Sequence, residues 1–174
     1  EYPVFRMNNI EDGKMVASPM KYSELSPKQA EKYRVKKGDI LFNRTNSIDH
    51  VGKCGIFDLD GEFVFASYLI RIQTNEEMNP YFLNYYLNSH IGQGILESYA
   101  TRGASQANIN ATSLKNVKVP LPPREVQDKI VDQIQTIETK IEQEQETKSE
   151  LKDLKRGLMQ DLLTGTKRVD PEKA

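Results

Sequence analysis

The sequence predicts an α+β fold: a mixed or antiparallel sheet domain over residues 1–123, one long C-terminal coiled-coil helix over 124–164, and a short tail, 165–174. Three observations lead to it. Short β-branched or aromatic runs recur before residue 73. A proline-rich segment, Val119-Pro120-Leu121-Pro122-Pro123, then stops regular structure. Beyond it, apolar residues recur at helical spacing with no proline before Leu163 and Gly157 as the only glycine.

The strand candidates, in order, are Val4–Met7, Asp39–Phe42, Cys54–Phe57, Phe63–Ala66 and Tyr68–Ile72. Lys37-Gly38-Asp39 and Asp58-Leu59-Asp60-Gly61 supply turn chemistry around them. Asn79-Pro80 reads as a helix N-cap followed by proline at the first helical position, where its missing N–H costs nothing. Tyr81–Leu87 then forms a helix with a thick apolar face, and a second short helix follows around Ile91–Tyr99. No internal repeat is visible.

The long helix opens at Arg124-Glu125-Val126-Gln127. Ile130, Ile134, Ile137 and Ile141 follow at steps of four, three and four; Leu151, Leu154, Leu158 and Leu162 follow at three, four and four. Each set forms one stripe on a helix. Residues 142–150 between them contain no apolar side chain, but also no glycine or proline, which favours one continuous helix over two that fold back. Such a helix of about 39 residues is about 58 Å long. A domain of 123 residues does not cover a stripe of that length, so a second helix is expected to pair with it. Gly165 is the stop signal.

Composition excludes several classes. The 174 residues contain one Cys, which rules out a disulfide scaffold and a cysteine-based zinc site. No apolar run approaches the roughly 20 residues that span a bilayer, and no secretory signal is visible, so a cytoplasmic protein is expected. The chain opens at Glu1 rather than Met, which points to a missing or processed native N-terminus. Net charge is −1, but residues 28–53 hold seven basic side chains against three acidic ones, a plausible footprint for a polyanion. The plainer reading of that segment is a solvated face with scattered lysines.

The catalytic inventory is thin. His50 and His90 have no partner at metal-ligand spacing and read as surface or loop residues. Cys54 reads as a small buried strand residue. Asn79-Pro80-Tyr81 is close to the Asn-Pro-Pro-Tyr tetrapeptide of adenine methyltransferases, but the helix cap explains it better. No nucleophile–base pair, metal site or cofactor site is visible, so no enzyme activity and no cofactor are expected.

Two polar segments are more suggestive. Asn43-Arg44-Thr45-Asn46-Ser47 follows the Asp39–Phe42 strand, and Thr101-Arg102-Gly103-Ala104-Ser105-Gln106-Ala107-Asn108 lies after the second short helix. Arg can bridge guanine O6 and N7, and Asn adenine N6 and N7, while hydroxyls suit phosphate oxygens. The same residues also suit ordinary caps and turns.

The order of motifs resembles type I restriction-modification specificity subunits. Val35–Thr45, through Lys36-Lys37-Gly38-Asp39-Ile40-Leu41, resembles the family's Lys-x-Gly-Asp-Ile-Leu strand and loop, and Ala66–Ile72 the strand that follows. Gly103–Asn110 resembles its Gly-x-x-Gln-x-Asn-Ile loop. Val117–Pro123 with Glu125–Val131 resembles the proline-rich entry to its conserved helix, although Val126 separates the Glu and Gln that are adjacent in the family. Leu158–Gly165 resembles the family's C-terminal ending. The resemblance implies a non-catalytic subunit that reads double-stranded DNA, with activity residing in partner methyltransferase and restriction subunits. It further implies that one recognition domain reads half of a split target. The long helix would pair antiparallel, in a homodimer for this half-subunit form, to set the spacing and dock the methyltransferase. The family's usual opening segment, with its Trp and Gly-rich turn, is absent before Tyr2.

On this basis Asn43, Arg44, Thr45, Asn46, Arg102, Ser105 and Gln106 are the candidate base or phosphate contacts, with Lys36, Lys37 and Lys53 positioning phosphates. Ile130, Ile134, Ile137, Ile141, Leu151, Leu154, Leu158 and Leu162 are the candidate pairing residues. A competing reading is a coiled-coil adaptor that binds no DNA.

Overall fold

In the computed structural model, which describes residues 1–46, 52–102 and 107–168, the first strand is β1, Tyr2–Phe5. The expected strand at Val4–Met7 ends early, because Met7–Asn9 forms a 3-10 turn. Asn9 causes the turn. It is fully buried, its Oδ1 accepts the Arg6 N–H at 3.1 Å, and its Nδ2 donates to the carbonyls of Val16 and Pro19. Next come β2, Ile10–Glu11, and β3, Lys14–Met15. Asp12 and Gly13 between them both have positive φ, the backbone that a two-residue hairpin demands and that Asp-Gly supplies. Then follow β4, Lys21–Ser23, and α1, Pro27–Tyr33, capped by a reciprocal Ser26–Gln29 pair.

Strand β5 is Ile40–Asn43 and leads into β6, Thr45–Asn46. β5 starts one residue later than expected because Asp39 is occupied in the preceding turn. Its carboxylate accepts the Lys36 N–H and the Gln73 side-chain amide, each at 2.9 Å. The chain continues through β7, Cys54–Ile56; β8, Val64–Phe65; and β9, Leu69–Ile72. Helix α2, Pro80–Asn88, has Asn79 as its N-cap, with Oδ1 accepting the N–H groups of Tyr81 and Phe82. Helix α3, His90–Ser98, follows after one residue. The rest comprises β10, Thr101–Arg102; β11, Ala107–Asn108; α4, Ala111–Lys115; and α5, Arg124–Leu163.

Among the described residues the strands form three sheets, in the orders β4-β1-β8, β10-β11-β6 and β2-β3-β7-β5-β9. The β1–β8 and β3–β7 pairs are parallel and the others antiparallel. All four residues of β5 are buried, as suits a strand with a neighbour on each side. Phe5, Ile10, Met15, Val35, Leu41, Phe57 and Leu69 make a common core. There the Phe5 ring meets Phe57 edge-on at 5.6 Å and stacks on Phe63 at 5.0 Å.

Contacts divide the chain into two compact units, Glu1–Lys129 and Ile130–Ala174, with the division falling inside α5. Helix α5 is one continuous helix of 40 residues, as the periodicity predicts. Gly165 ends it in left-handed backbone at φ 76°, its N–H returning to the Leu162 carbonyl. In the second unit Ile130 and Ile134 are half-buried. Ile137, Ile141, Leu151, Leu154, Leu158 and Leu162 are exposed, from 43% for Leu162 to 61% for Ile137. Among the described residues no helix is long and apolar enough to cross a membrane.

Candidate nucleic-acid interface

The two polar segments singled out in the sequence converge on one small sheet. Leaving β5, the chain presents Arg44 at the surface and then pairs β6 with β11, Asn46 opposite Ala107 and Thr45 opposite Asn108. On its other side β11 pairs with β10, Thr101 opposite Asn108 and Arg102 opposite Ala107. Two further contacts join the segments. The Ile109 N–H donates to the Arg44 carbonyl at 2.8 Å, and Asn108 Nδ2 donates to Thr45 Oγ1 at 2.9 Å. Ala107 and Ile109, on either side of Asn108, are buried and root this strand in the core.

The candidate residues are not equivalent. Arg44 is exposed and Thr45 half-buried. Asn46 and Arg102 lie on the two outer strands of the sheet. Ser105 and Gln106, like Ser47 and His50, lie outside the described residues. Asn43 is placed differently from its neighbours: it is 1% exposed, its N–H donates to the Lys53 carbonyl, and its Oδ1 has no hydrogen-bond partner among the described residues. It sits beneath the surface that Arg44 occupies.

The lysines separate by position along β5. Lys53 is tied through its carbonyl to Asn43 and so lies at the Arg44 end. Lys36 and Lys37 are exposed but precede β5, a strand length of about 14 Å away. Lys37 Nζ also pairs with Asp60 at 2.8 Å. The hydrogen bond and charge of that partner raise the Lys37 pKa and hold the Asp60 carboxyl below the usual range. A paired ammonium offers less charge to a phosphate than an unpaired one. Lys36 and Lys37 therefore do not share the Arg44 surface.

The other titratable candidates are structural. Cys54 is fully buried, and desolvation pushes its thiol up to about 12, so it is a thiol rather than a nucleophilic thiolate at neutral pH. His90 is an exposed first residue of α3. No group of His, Cys, Asp and Glu suited to a metal ion occurs among the described residues.

Asn108, at the centre of the small sheet, was not among the candidates chosen from sequence. It nevertheless ends the second polar segment and is the Asn of the Gly-x-x-Gln-x-Asn-Ile resemblance. Gln127 also escaped notice. It is fully buried at the start of α5, its Oε1 accepting the Asn79 N–H and its Nε2 donating to the carbonyls of Glu77 and Pro122. The motif Glu125-Val126-Gln127 marks it, but spacing alone does not reveal that its partner is a helix cap 48 residues earlier.

Comparison with known proteins agrees with this architecture. Residues 1–153 match the type I restriction modification DNA specificity domain. A Methanocaldococcus jannaschii protein named as the type I restriction enzyme MjaX specificity subunit is 33% identical over 166 residues, which is 94% of this chain and 39% of that protein. The EcoKI specificity subunit of Escherichia coli is 22% identical over 78% of this chain and 30% of its own length. The crystal structure of the HsdS subunit from Thermoanaerobacter tengcongensis superposes with a TM-score of 0.63 at 21% identity, over 98% of this chain and 45% of that one. The chain thus spans less than half the length of these relatives. With its mixed sheets, its single long C-terminal helix and a family match over 153 of its residues, the chain belongs to the type I restriction modification DNA specificity domain family.

Proposed function

We propose that this chain is a sequence-reading part of a type I restriction-modification complex and binds double-stranded DNA through the β10-β11-β6 sheet and Arg44. The observation that carries the proposal is the convergence of two polar segments, more than 50 residues apart in sequence, on one surface sheet with an exposed arginine beside it. The family match supports the substrate class. A DNA major groove is about 12 Å wide and admits a two-stranded β-ribbon, such as an adjacent pair of strands of this sheet. Methylation and cleavage would reside in partner methyltransferase and restriction subunits, in the cytoplasm.

The finer reading is that one domain of this kind reads half of a bipartite target. The exposed stripe of α5 would pair antiparallel with a second copy and fix the half-site distance, and the polar middle of the helix would face the two-fold axis or a methyltransferase subunit. A helix of 40 residues is about 60 Å long, which limits the separation to roughly 17 base pairs.

Binding-site selection by the chain assembled with its methyltransferase subunits tests this reading. The expected result is a split inverted repeat, with affinity that falls log-linearly with salt. Replacing Arg44 by Ala should relax selection at one or two base pairs, each worth about 1–3 kcal/mol of discrimination. Sequence-independent binding, or none, would favour an oligomerisation adaptor instead.

A further inference from the structure

We infer that Asn108 is a positioning residue for base selection: it ties the Arg44–Asn46 segment to the Thr101–Arg102 segment so that the two act as one reading element. The inference rests on the DNA-reading proposal and extends it to a residue that need touch no base.

The argument starts from sheet order. β11 is the central strand, with β6 on one side and β10 on the other. Each outer strand has only two residues, so each contributes very few ladder hydrogen bonds of its own. Strands this short are marginal without additional ties. Asn108 stands opposite Thr45 in one pair and opposite Thr101 in the other. Its side-chain amide also bonds the Thr45 hydroxyl at 2.9 Å, a contact beyond the backbone ladder. One residue on, Ile109 is fully buried and its N–H holds the Arg44 carbonyl. The central strand is thus anchored in the core while its polar side chain reaches sideways to one of the segments it joins.

Geometry sets the consequence. Neighbouring strands lie about 4.8 Å apart, so β6 and β10 are separated by about 10 Å. At about 3.4 Å per base pair, that separation is about three base pairs. The Arg44–Asn46 and Thr101–Arg102 segments therefore fall within one half-site rather than in separate halves. Losing the tie lets the β6 segment shift relative to β10, which blurs selection at both sets of base pairs together. A residue making its own contact would instead affect a single position.

The test is binding-site selection with the full chain assembled with its methyltransferase subunits, comparing wild type, R44A, R102A, N108A and N110A. R44A and R102A define the base pairs that depend on each segment. The expected result for N108A is a loss of preference of about tenfold at both sets at once, with non-specific DNA affinity unchanged. Asn110 caps α4 through the Ser113 N–H and serves as the structural control: N110A should lower the melting temperature and leave selection intact. Amide exchange at Ile109 in the DNA-free complex should accelerate in N108A, a readout independent of DNA. T45V, which removes the acceptor hydroxyl while keeping the side-chain shape, should reproduce the joint loss even where N108A folds poorly; a loss confined to the Arg44 set would mark Thr45 as a direct contact and overturn the inference. The inference is overturned if N108A keeps wild-type selection, loses it at only one set, or behaves as N110A does. A wild-type complex that selects no sequence overturns the DNA-reading proposal itself, and this inference with it.

Discussion

Gln127 Oε1 accepts the backbone N–H of Asn79 at 2.7 Å, and the Asn79 side chain caps α2. The first turn of α5 is therefore tied to the N-terminus of α2 through one residue pair. Asp128 strengthens the contact, its Oδ1 accepting from Asn79 Nδ2 at 2.7 Å and from Arg124 Nε at 2.8 Å. Arg124 also donates to the Glu76 carbonyl. Helix α5 thus begins as part of the first unit.

Replacing Gln127 by Ala removes three hydrogen bonds, one to the buried Asn79 N–H and two to the part-buried carbonyls of Glu77 and Pro122. The expected loss is about 2–4 kcal/mol. Urea unfolding of the isolated chain measures it, and a midpoint shift within error of zero would refute the structural role assigned here.

Asp128 should make part of this stability acid-sensitive. Its carboxyl is held below the usual range, first by the Asn79 amide and then by Arg124. A folded-state pKa below the unfolded value adds stability above the unfolded pKa, about 4, and loses it as pH falls through the folded one. D128N should therefore be less stable than wild type near neutral pH, and the gap should close on acidification below about pH 4. A gap that does not change with pH would contradict this account.

Two glycines of α3 should respond in opposite ways to alanine. A Cβ on Gly92 would lie 2.0 Å from the Tyr86 carbonyl oxygen, so α3 packs against the end of α2 only because that atom is missing. G92A should destabilise by about 2 kcal/mol or more. Gly94, two residues on, has nothing within 4 Å of such a Cβ, and G94A should stabilise by about 0.5–1 kcal/mol through helix propensity. Thermal unfolding of the pair distinguishes the two effects, and equal shifts would be inconsistent with this packing.

The proposed pairing of α5 is tested on its exposed stripe. Ile137 and Leu158 are 61% and 47% exposed, so glutamate at both should leave helix content unchanged. Buried charge at these positions would disfavour a helix–helix seam. Sedimentation equilibrium at tens of micromolar should show wild-type dimers and I137E/L158E monomers. A monomeric wild type under the same conditions would rule out self-pairing.

The local elements were legible in the residues themselves. Helix α5 followed from the three-and-four spacing of its isoleucines and leucines, and Gly165 marked its end. Asn79-Pro80 announced α2 because capping and a pre-set φ are properties of single residues. The β2–β3 hairpin carried a readable Asp12-Gly13 signal, but its two-residue strands are too short for an apolar pattern to show. By itself the sequence also singled out the two polar segments and the family resemblance.

Tertiary structure decided what depends on partners far along the chain. Asn43 and Arg44 are adjacent polar residues, yet one is buried and the other exposed, because Asn43 still pairs with Leu69 of β9 and bonds the Lys53 carbonyl, whereas Arg44 lies past the end of β5. Lys36 and Lys37 belong to the same basic run as Arg44, yet a strand's length and the Asp60 pair set them apart from it. The pairing of Thr45 with Asn108, and of Gln127 with Asn79, joins residues 63 and 48 positions apart. Periodicity and propensity act over a few residues, whereas hydrogen-bond satisfaction in a buried site is settled by whichever segment the fold brings there.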